Sequence, residues 1–233
     1  MVIELKKLKI FILSLLLIPI NVLAYSDYII PGGETLGIEI NSDGIMVIGF
    51  YQINGKYNKG DPIIKSGDYI TNVNGIEVNT VDELTDVIED NISSGYVDVT
   101  YLRNGIKKTS ELELIKDGDI YKTGLYVKDT ITGIGTLSYI DPETKVFGAL
   151  GHEIVESNTN SIVEIKSGII FRNFIIGIDK SASGVPGSKN AKFYYETVYG
   201  NILKNTNVGI YEIYDANLPD KELYEDAESS EVK

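Results

Sequence analysis

The only histidine of the 233-residue chain is His152, which lies in the segment FGALGHEIVE, residues 147–156. Histidine has an unperturbed pKa close to neutrality, so it is the usual proton carrier in catalysis. The chain has no cysteine, which excludes a thiol nucleophile, a disulfide framework and a cysteine-ligated zinc site. A single imidazole also argues against a two-histidine metal site, so we expect neither a metal nor another cofactor. A lone histidine is more often an ordinary core residue, and its surroundings must decide between the two interpretations.

The composition predicts a strand-rich protein that does not bind nucleic acid. The chain contains 16 Tyr and 23 Gly, and 43% of its residues are hydrophobic. Tyrosine and the β-branched residues, which are also numerous, favour strands. The formal net charge is -13, which argues against nucleic-acid binding because that requires a basic surface to neutralise phosphates. The same charge argues against a polybasic membrane patch.

The first 24 residues have the pattern of an export signal. Lys6, Lys7 and Lys9 precede the apolar run IFILSLLLIPI (10–20), and a small residue, Ala24, follows. A basic start, a short apolar segment and a small-residue site are typical of a cleaved signal. We expect cleavage after Ala24, with an uncleaved membrane anchor as the alternative. Either way, the body of the protein is expected outside the membrane that exports it.

Two hairpins are predicted in the first half of the chain. Tyr69–Val73 is expected to form a strand, Asn74-Gly75 is the dipeptide preferred in a two-residue turn, and Ile76–Val78 is expected to return. A second hairpin is predicted around Asn104-Gly105, because Val97, Val99 and Tyr101 alternate with polar residues before it. These patterns indicate antiparallel strands with one buried face.

A helix is predicted between the two hairpins. Thr80 and Glu83 have the spacing of a capping box, in which each side chain binds the main chain near the other. The apolar residues that follow fall on one helical face, namely Val81, Leu84, Val87 and Ile88.

This order of elements resembles a PDZ domain over 25–115. The resemblance implies that an extended peptide adds as a strand between a domain strand and the helix. It places the loop that binds the peptide carboxylate at Leu36, Gly37 and Ile38. The groove face of the helix is placed at Val81, Leu84 and Ile88. The alternative is an ordinary small β-rich domain whose groove is closed or serves only in packing.

Around the histidine, the sequence again predicts a hairpin. Leu125–Val127 and Gly135–Tyr139 are expected to be strands, Asp141–Thr144 a turn, and Val146-Phe147 the start of a return strand. His152 would therefore lie where a hairpin strand ends, which is a rigid position suited to a catalytic base.

The run YVKDTITGIGTLSYIDPETKVFGALGH (126–152) is similar to the stage IV sporulation protein B peptidases. The segments IPGGETLGI (30–38) and SGVPGSKNAKF (183–193) agree with the resemblance, which covers about residues 25–211. It implies an exported serine endopeptidase with a chymotrypsin-like β-barrel, located between the membranes of the developing spore. Such a peptidase cleaves a regulator of a membrane-embedded metalloprotease, which then processes a pro-sigma factor. The resemblance places His152 at the position of the general base.

The sequence departs from that family at the other catalytic groups. The family carries its serine in a later G-x-S-G-S-P turn and its acid shortly before, and neither is present here. Ser183 and Ser188 do not match the serine pattern. Three aspartates could orient the imidazole, namely Asp129, Asp141 and Asp179. We therefore expect that the chain as written does not hydrolyse peptides by this mechanism.

The predicted fold is mainly β, with a PDZ-like α+β domain (25–115) followed by part of a chymotrypsin-like β-barrel peptidase domain (116–214). An acidic polar tail is expected over 215–233. One hypothesis is a sporulation serine peptidase represented by an incomplete chain, with a membrane-protein regulator as substrate. The other is a short, non-catalytic exported protein that binds peptides through the PDZ-like groove.

Overall fold

The structure, a computed structural model, describes residues 26–225. The predicted signal or anchor (1–24) and the end of the predicted tail (226–233) lie outside these residues. The protein is mainly β, with 60% strand and 6% helix, as the sequence predicts. Within residues 26–225, no helix has the length and apolar character needed to cross a membrane.

The helical segments are α1 (Val81–Asp90) and a short 3-10 turn (Ile92–Ser94). The strands are β1 (Tyr28–Pro31), β2 (Thr35–Phe50), β3 (Gln52–Ile53), β4 (Lys56–Tyr57), β5 (Tyr69–Val73), β6 (Ile76–Glu77), β7 (Tyr96–Arg103), β8 (Ile106–Glu113), β9 (Ile115–Asp117), β10 (Ile120–Lys122), β11 (Leu125–Ile140), β12 (Val146–Ala149), β13 (Val155–Glu156), β14 (Ser161–Ile162), β15 (Ile165–Asp179), β16 (Ser188–Asn201), β17 (Lys204–Thr206), β18 (Gly209–Ile213) and β19 (Tyr224–Glu225).

The long strand β2 is the centre of the main sheet. The path of paired strands runs β17-β18-β12-β11-β2-β5-β7-β8, and β15 with β16 branches from β2. The first part of β2 pairs with β11 on one side and β15 on the other, whereas its second part pairs with β11 and β5. The sheet curls into a half-barrel, consistent with a chymotrypsin-like β-barrel domain.

Two hydrophobic clusters lie along this sheet, and β2 contributes to both. Ile40 is buried in the cluster of the second half, together with Phe147 and Ile170. Ile45, five residues later, is buried in the cluster of the first half, beneath α1. The structural boundary therefore crosses β2, and the strand segment 35–41 packs with the second half rather than within the predicted 25–115 unit. A strand that is paired on both edges can serve two cores because its far ends contact different neighbours.

The local signals in the first half form the predicted elements. Asn74 and Gly75 have φ of 51° and 80°, and Asn104 and Gly105 have φ of 52° and 72°. Positive φ at both central residues is what a type I′ hairpin turn requires. The helix begins at the predicted capping box, in which the Glu83 N–H donates to Thr80 Oγ1 at 3.2 Å.

The predicted polar tail differs from the structure in its first part. Leu218 packs against the core cluster of the second half, and β19 pairs with β1. Lys221 donates to the carbonyl of Pro31 at 2.9 Å and forms an ion pair with Glu34. Residues 215–225 therefore lie against the sheet. A few apolar and strand-pairing contacts are sufficient to hold this segment, although most of its residues are polar.

Candidate functional site

His152 follows the β11–β12 hairpin, whose turn is held by the buried carboxylate of Asp141. This residue is 2% exposed. Its oxygens accept hydrogen bonds from the main-chain N–H groups of Ser26 (3.0 Å), Glu143 (2.9 Å) and Thr144 (3.0 Å). Burial by itself raises the pKa of Asp141, but these donors outweigh it and hold the pKa below its usual value. The ionised carboxylate thus fixes the turn that precedes β12, the strand leading to His152.

Between β12 and His152 the backbone adopts a conformation that is unfavourable for leucine. Leu150 has φ 75° and Gly151 has φ 77°. A non-glycine residue in this region costs on the order of 1–2 kcal/mol, and such strain is often found at functional sites. The Leu150 N–H donates to the carbonyl of Thr136 at 3.0 Å. The sheet therefore imposes the turn that carries the imidazole away from the strand.

The imidazole of His152 is exposed and lines two adjoining clefts. The larger cleft, of about 560 Å³, lies between β11 and β16, and Lys189 and Phe193 form part of its wall. The smaller cleft, of about 210 Å³, is lined mainly by aliphatic side chains such as Ile40 and Ile131. This position is incompatible with an ordinary core histidine, and the catalytic role remains a prediction.

One hydrogen bond determines which nitrogen of His152 can act as a base. The Nδ1 atom lies 2.8 Å from the main-chain carbonyl of Glu153. A carbonyl oxygen only accepts hydrogen bonds, so in the neutral ring Nδ1 carries the proton and Nε2 has the free lone pair. This is the tautomer in which a catalytic histidine can take a proton through Nε2.

The aspartates that could orient the ring are engaged elsewhere. Asp141 holds the turn described above. Asp129 accepts a hydrogen bond from the Val81 N–H at 2.7 Å, and Asp179 accepts one from Ser188 Oγ at 3.0 Å. Within residues 26–225, His152 forms its only hydrogen bond with the Glu153 carbonyl. In this arrangement the imidazole is oriented by the main chain rather than by a carboxylate.

The two serines considered as nucleophiles lie at the β15–β16 connection. Ser183 is in the connecting loop, which a bridge between Ala182 and Val185 closes, and Ser188 begins β16. The Ser188 hydroxyl donates to Asp179, not to His152. Neither serine is therefore paired with the imidazole, and no group of three histidine or acidic side chains that could hold a metal ion occurs in residues 26–225.

A second candidate site is the groove between α1 and the start of β11. It has a volume of about 670 Å³. The predicted groove residues Val81, Leu84 and Ile88 line it, and Leu125 and Val127 of β11 lie on its opposite side. From Leu125 to Lys128, β11 pairs with β2 along one edge, and no described strand pairs with its other edge. The groove therefore combines apolar side chains with an open strand edge, which is what peptide addition requires.

The structure differs from the expected position of Leu36, Gly37 and Ile38. These residues form part of β2, paired with β11 and β15 on its two edges, so their main-chain groups are engaged in the sheet. A Cβ at position 37 would lie 2.3 Å from the ring of Phe171. The glycine thus allows close packing of an aromatic ring, rather than forming a carboxylate-binding loop beside α1.

Two features of these sites were not predicted from the sequence. The first is that β11 forms one wall of the groove. Its first residues could not be assigned to the groove from the sequence, because the strand continues without interruption into the His152 hairpin. The second is Asp129, which accepts a hydrogen bond from the first N–H of α1, that of Val81, where this residue lines the groove. Contact between residues 48 positions apart depends on how the sheet places β11 beside α1, which local patterns do not encode.

Comparison with known proteins links the second half of the chain to a peptidase family. The family model described as SpoIVB peptidase S55 matches residues 119–233. No curated protein matches the chain. The matched segment contains β11, β12 and His152, which form the first candidate site. The match thus supports, at the level of the family, a relationship of this half of the chain to the sporulation serine peptidases of the SpoIVB type.

Proposed function

We propose that the chain acts in SpoIVB-type proteolytic signalling, with His152 as the proton acceptor. In this proposal the protein is exported and acts on a membrane-protein regulator. Cleavage of that regulator leads to processing of a pro-sigma factor. The observation that carries the proposal is the geometry of His152, an exposed imidazole whose Nδ1 proton is held by the Glu153 carbonyl. The family match of residues 119–233 supports the peptidase class.

The chemistry requires a hydroxyl near Nε2 of His152. A serine hydroxyl is a weak nucleophile until an adjacent base takes its proton, and the base later returns that proton to the leaving amine. The main-chain acceptor at Nδ1 would keep Nε2 free for this transfer. The hydroxyl that reacts must come from outside residues 26–225 or from the bound partner, because no described serine is paired with the ring.

The test is replacement of the gene by a His152→Ala variant in the spore-forming organism that encodes it. Immunoblotting would follow the conversion of the pro-sigma factor to its shorter form. We expect the wild type and the exposed-surface control Lys204→Ala to support conversion and His152→Ala to abolish it. If His152→Ala supports conversion as well as the wild type, proton transfer by this imidazole is not the function.

A second candidate function, peptide binding by a PDZ-like groove, is favoured by the cleft beside α1. The lining of this groove is acidic, since Glu89, Asp90 and Asp119 outnumber Lys122. At the other end, the Asp129 carboxylate already binds the first N–H of the helix. A peptide carboxylate would be repelled at both ends, so the groove favours an internal, extended segment with basic residues.

Fluorescence anisotropy can test this preference with two labelled peptides of the same apolar pattern. One peptide carries lysines and an amidated end, and the other carries glutamates and a free carboxylate. We expect the basic peptide to bind more tightly, and Thr85→Tyr, which fills the groove, to weaken its binding about tenfold. Asp86→Tyr introduces the same side chain outside the groove lining and should leave binding unchanged. Equal effects of the two variants, or preference for the acidic peptide, would refute this function without affecting the proposal for His152.

A further inference from the structure

The hairpin of β15 and β16 extends beyond the rest of the sheet. Pairing of β15 with β2 ends at Arg172, opposite Leu36. From Asn173 to Asp179, β15 pairs only with β16. Seven residues at about 3.3 Å each give this projection a length of about 23 Å. We refer to residues 172–192 as the arm.

The arm exposes large apolar side chains towards its outer end. Ile176 is 70% exposed, Ile178 is 69% exposed, and Val185 in the connecting loop is 61% exposed. Phe174, nearer the sheet, is 48% exposed. Single exposed apolar residues are common, but several together on one projection indicate an interaction surface.

The arm is also basic, although the chain is strongly acidic. It contains Arg172, Lys180, Lys189 and Lys192 against the single acidic residue Asp179, so its formal charge is +3. The whole chain has a charge of -13, which leaves -16 on all other residues. The net charge of the whole chain is strongly negative and therefore does not reveal this local basic region.

The basic groups of the arm are not neutralised by neighbouring carboxylates. The Arg172 guanidinium lies 4.7 Å from the centre of the Phe174 ring, and Lys192 Nζ lies 5.2 Å from the centre of the Tyr194 ring. Asp179 accepts hydrogen bonds from Ser188 and Asn190, and the ion pairs found in residues 26–225 do not include any cation of the arm. Lys189 also forms part of the wall of the His152 cleft, whereas the charges of Lys180 and Lys192 are available to an external anion.

We propose that the arm docks on an anionic lipid surface, with its isoleucines in the outer hydrocarbon region and its lysines at the headgroups. A bilayer offers hydrocarbon for the isoleucines and, just above it, anionic headgroups for the lysines. The lysine stems can lie along apolar surface while their ammonium groups reach the headgroups. An acidic protein surface would match only the charges and would leave Ile176 and Ile178 without an apolar partner. The charge of -16 on the other residues repels the same lipid surface, so the protein approaches it by the arm.

The absence of cysteine from the chain permits a site-specific test. An environment-sensitive fluorophore is attached to full-length Ser183→Cys, at the tip of the arm, or to Lys107→Cys, beside the exposed β7–β8 turn. Each protein is titrated with vesicles of phosphatidylcholine and phosphatidylglycerol in equal amounts, or of phosphatidylcholine alone. We expect a blue shift and a several-fold rise in emission only for position 183 and only with anionic vesicles. Each fluorophore reports only its own surroundings. Binding of the vesicles by another part of the chain would therefore not produce a difference in emission between positions 183 and 107.

Substitutions then separate the contributions of charge and apolar contact. Lys180→Gln with Lys192→Gln should raise the anionic lipid concentration for half-maximal response at position 183 about thirty-fold, the effect of losing two cations near such a surface. The matched pair Lys107→Gln with Lys108→Gln should leave it unchanged. Ile176→Ser with Ile178→Ser should abolish the blue shift.

Three results would overturn the proposal. The first is an equal response of the probes at positions 183 and 107. The second is a response at 183 that rises with protein concentration without vesicles, which would indicate self-association. The third is an equal response to polyglutamate, which would indicate an acidic protein partner.

Discussion

Substitution of Asp141 by asparagine should weaken the hairpin that carries His152. One carboxylate oxygen of Asp141 accepts the N–H groups of Glu143 and Thr144, and the other accepts the N–H of Ser26. Asparagine can retain the first pair of contacts, but its amide nitrogen cannot accept from Ser26. A buried donor without a partner costs about 1–3 kcal/mol, and the remaining bonds lose their charge assistance. We therefore expect a loss of about 2–4 kcal/mol in the free energy of unfolding at neutral pH.

The pH dependence provides a second, independent measurement. The folded-state pKa of Asp141 is lowered, so its carboxylate stabilises the fold above the unfolded pKa of about 4, and this contribution disappears as pH falls through the folded pKa. Urea unfolding followed by far-UV circular dichroism should show a difference between wild type and Asp141→Asn that shrinks in acid. Asp179→Asn is the control, because Asp179 is exposed. Equal losses for the two variants at neutral pH, or a difference that persists in acid, would refute the reasoning.

Three further predictions concern stability and are measured by the same unfolding assay. Thr80→Ala removes the side-chain cap of α1 and should cost about 1 kcal/mol. Thr85→Ala removes an exposed hydroxyl that donates to the Val81 carbonyl, a group the helix already satisfies, and should cost less. Equal costs would contradict the cap assignment. Lys145 has φ 58°, a conformation that a β-branched residue adopts only at a cost. Lys145→Val should therefore destabilise the fold by at least about 1 kcal/mol, whereas Lys145→Gly should not. A greater loss of stability for Lys145→Gly than for Lys145→Val would show that the strain is absent. Gly209→Ala would place a Cβ 2.5 Å from a main-chain oxygen at a residue whose φ is 131°, whereas at Gly177 the nearest atom to such a Cβ is 3.6 Å away. We expect the free energy of unfolding to fall by more than about 3 kcal/mol for Gly209→Ala but not for Gly177→Ala. Similar losses for the two variants would contradict the packing around Gly209.

The elements that formed as predicted are those whose signals are local. The turn at Asn74-Gly75 requires positive φ at two adjacent residues, and Asn-Gly adopts it at low cost. The cap of α1 depends on Thr80 and Glu83, three positions apart. The strand and turn pattern before His152 is equally local, and it produced the β11–β12 hairpin. In each case the residues that interact are close in sequence, so their types are sufficient to predict the contact.

The amino-acid sequence by itself therefore determined the mainly β character, the hairpins, the helix and the position of His152 after a strand. Only the tertiary structure decided that Leu36–Ile38 lie inside β2, that β11 forms one wall of the groove, and that Tyr224–Glu225 pair with β1. The physical reason is that strand pairing joins residues far apart in the sequence, such as Leu36 with Gly135 and Tyr28 with Glu225. Which edges meet depends on the curvature and burial of the whole sheet, and not on the residues of either strand alone.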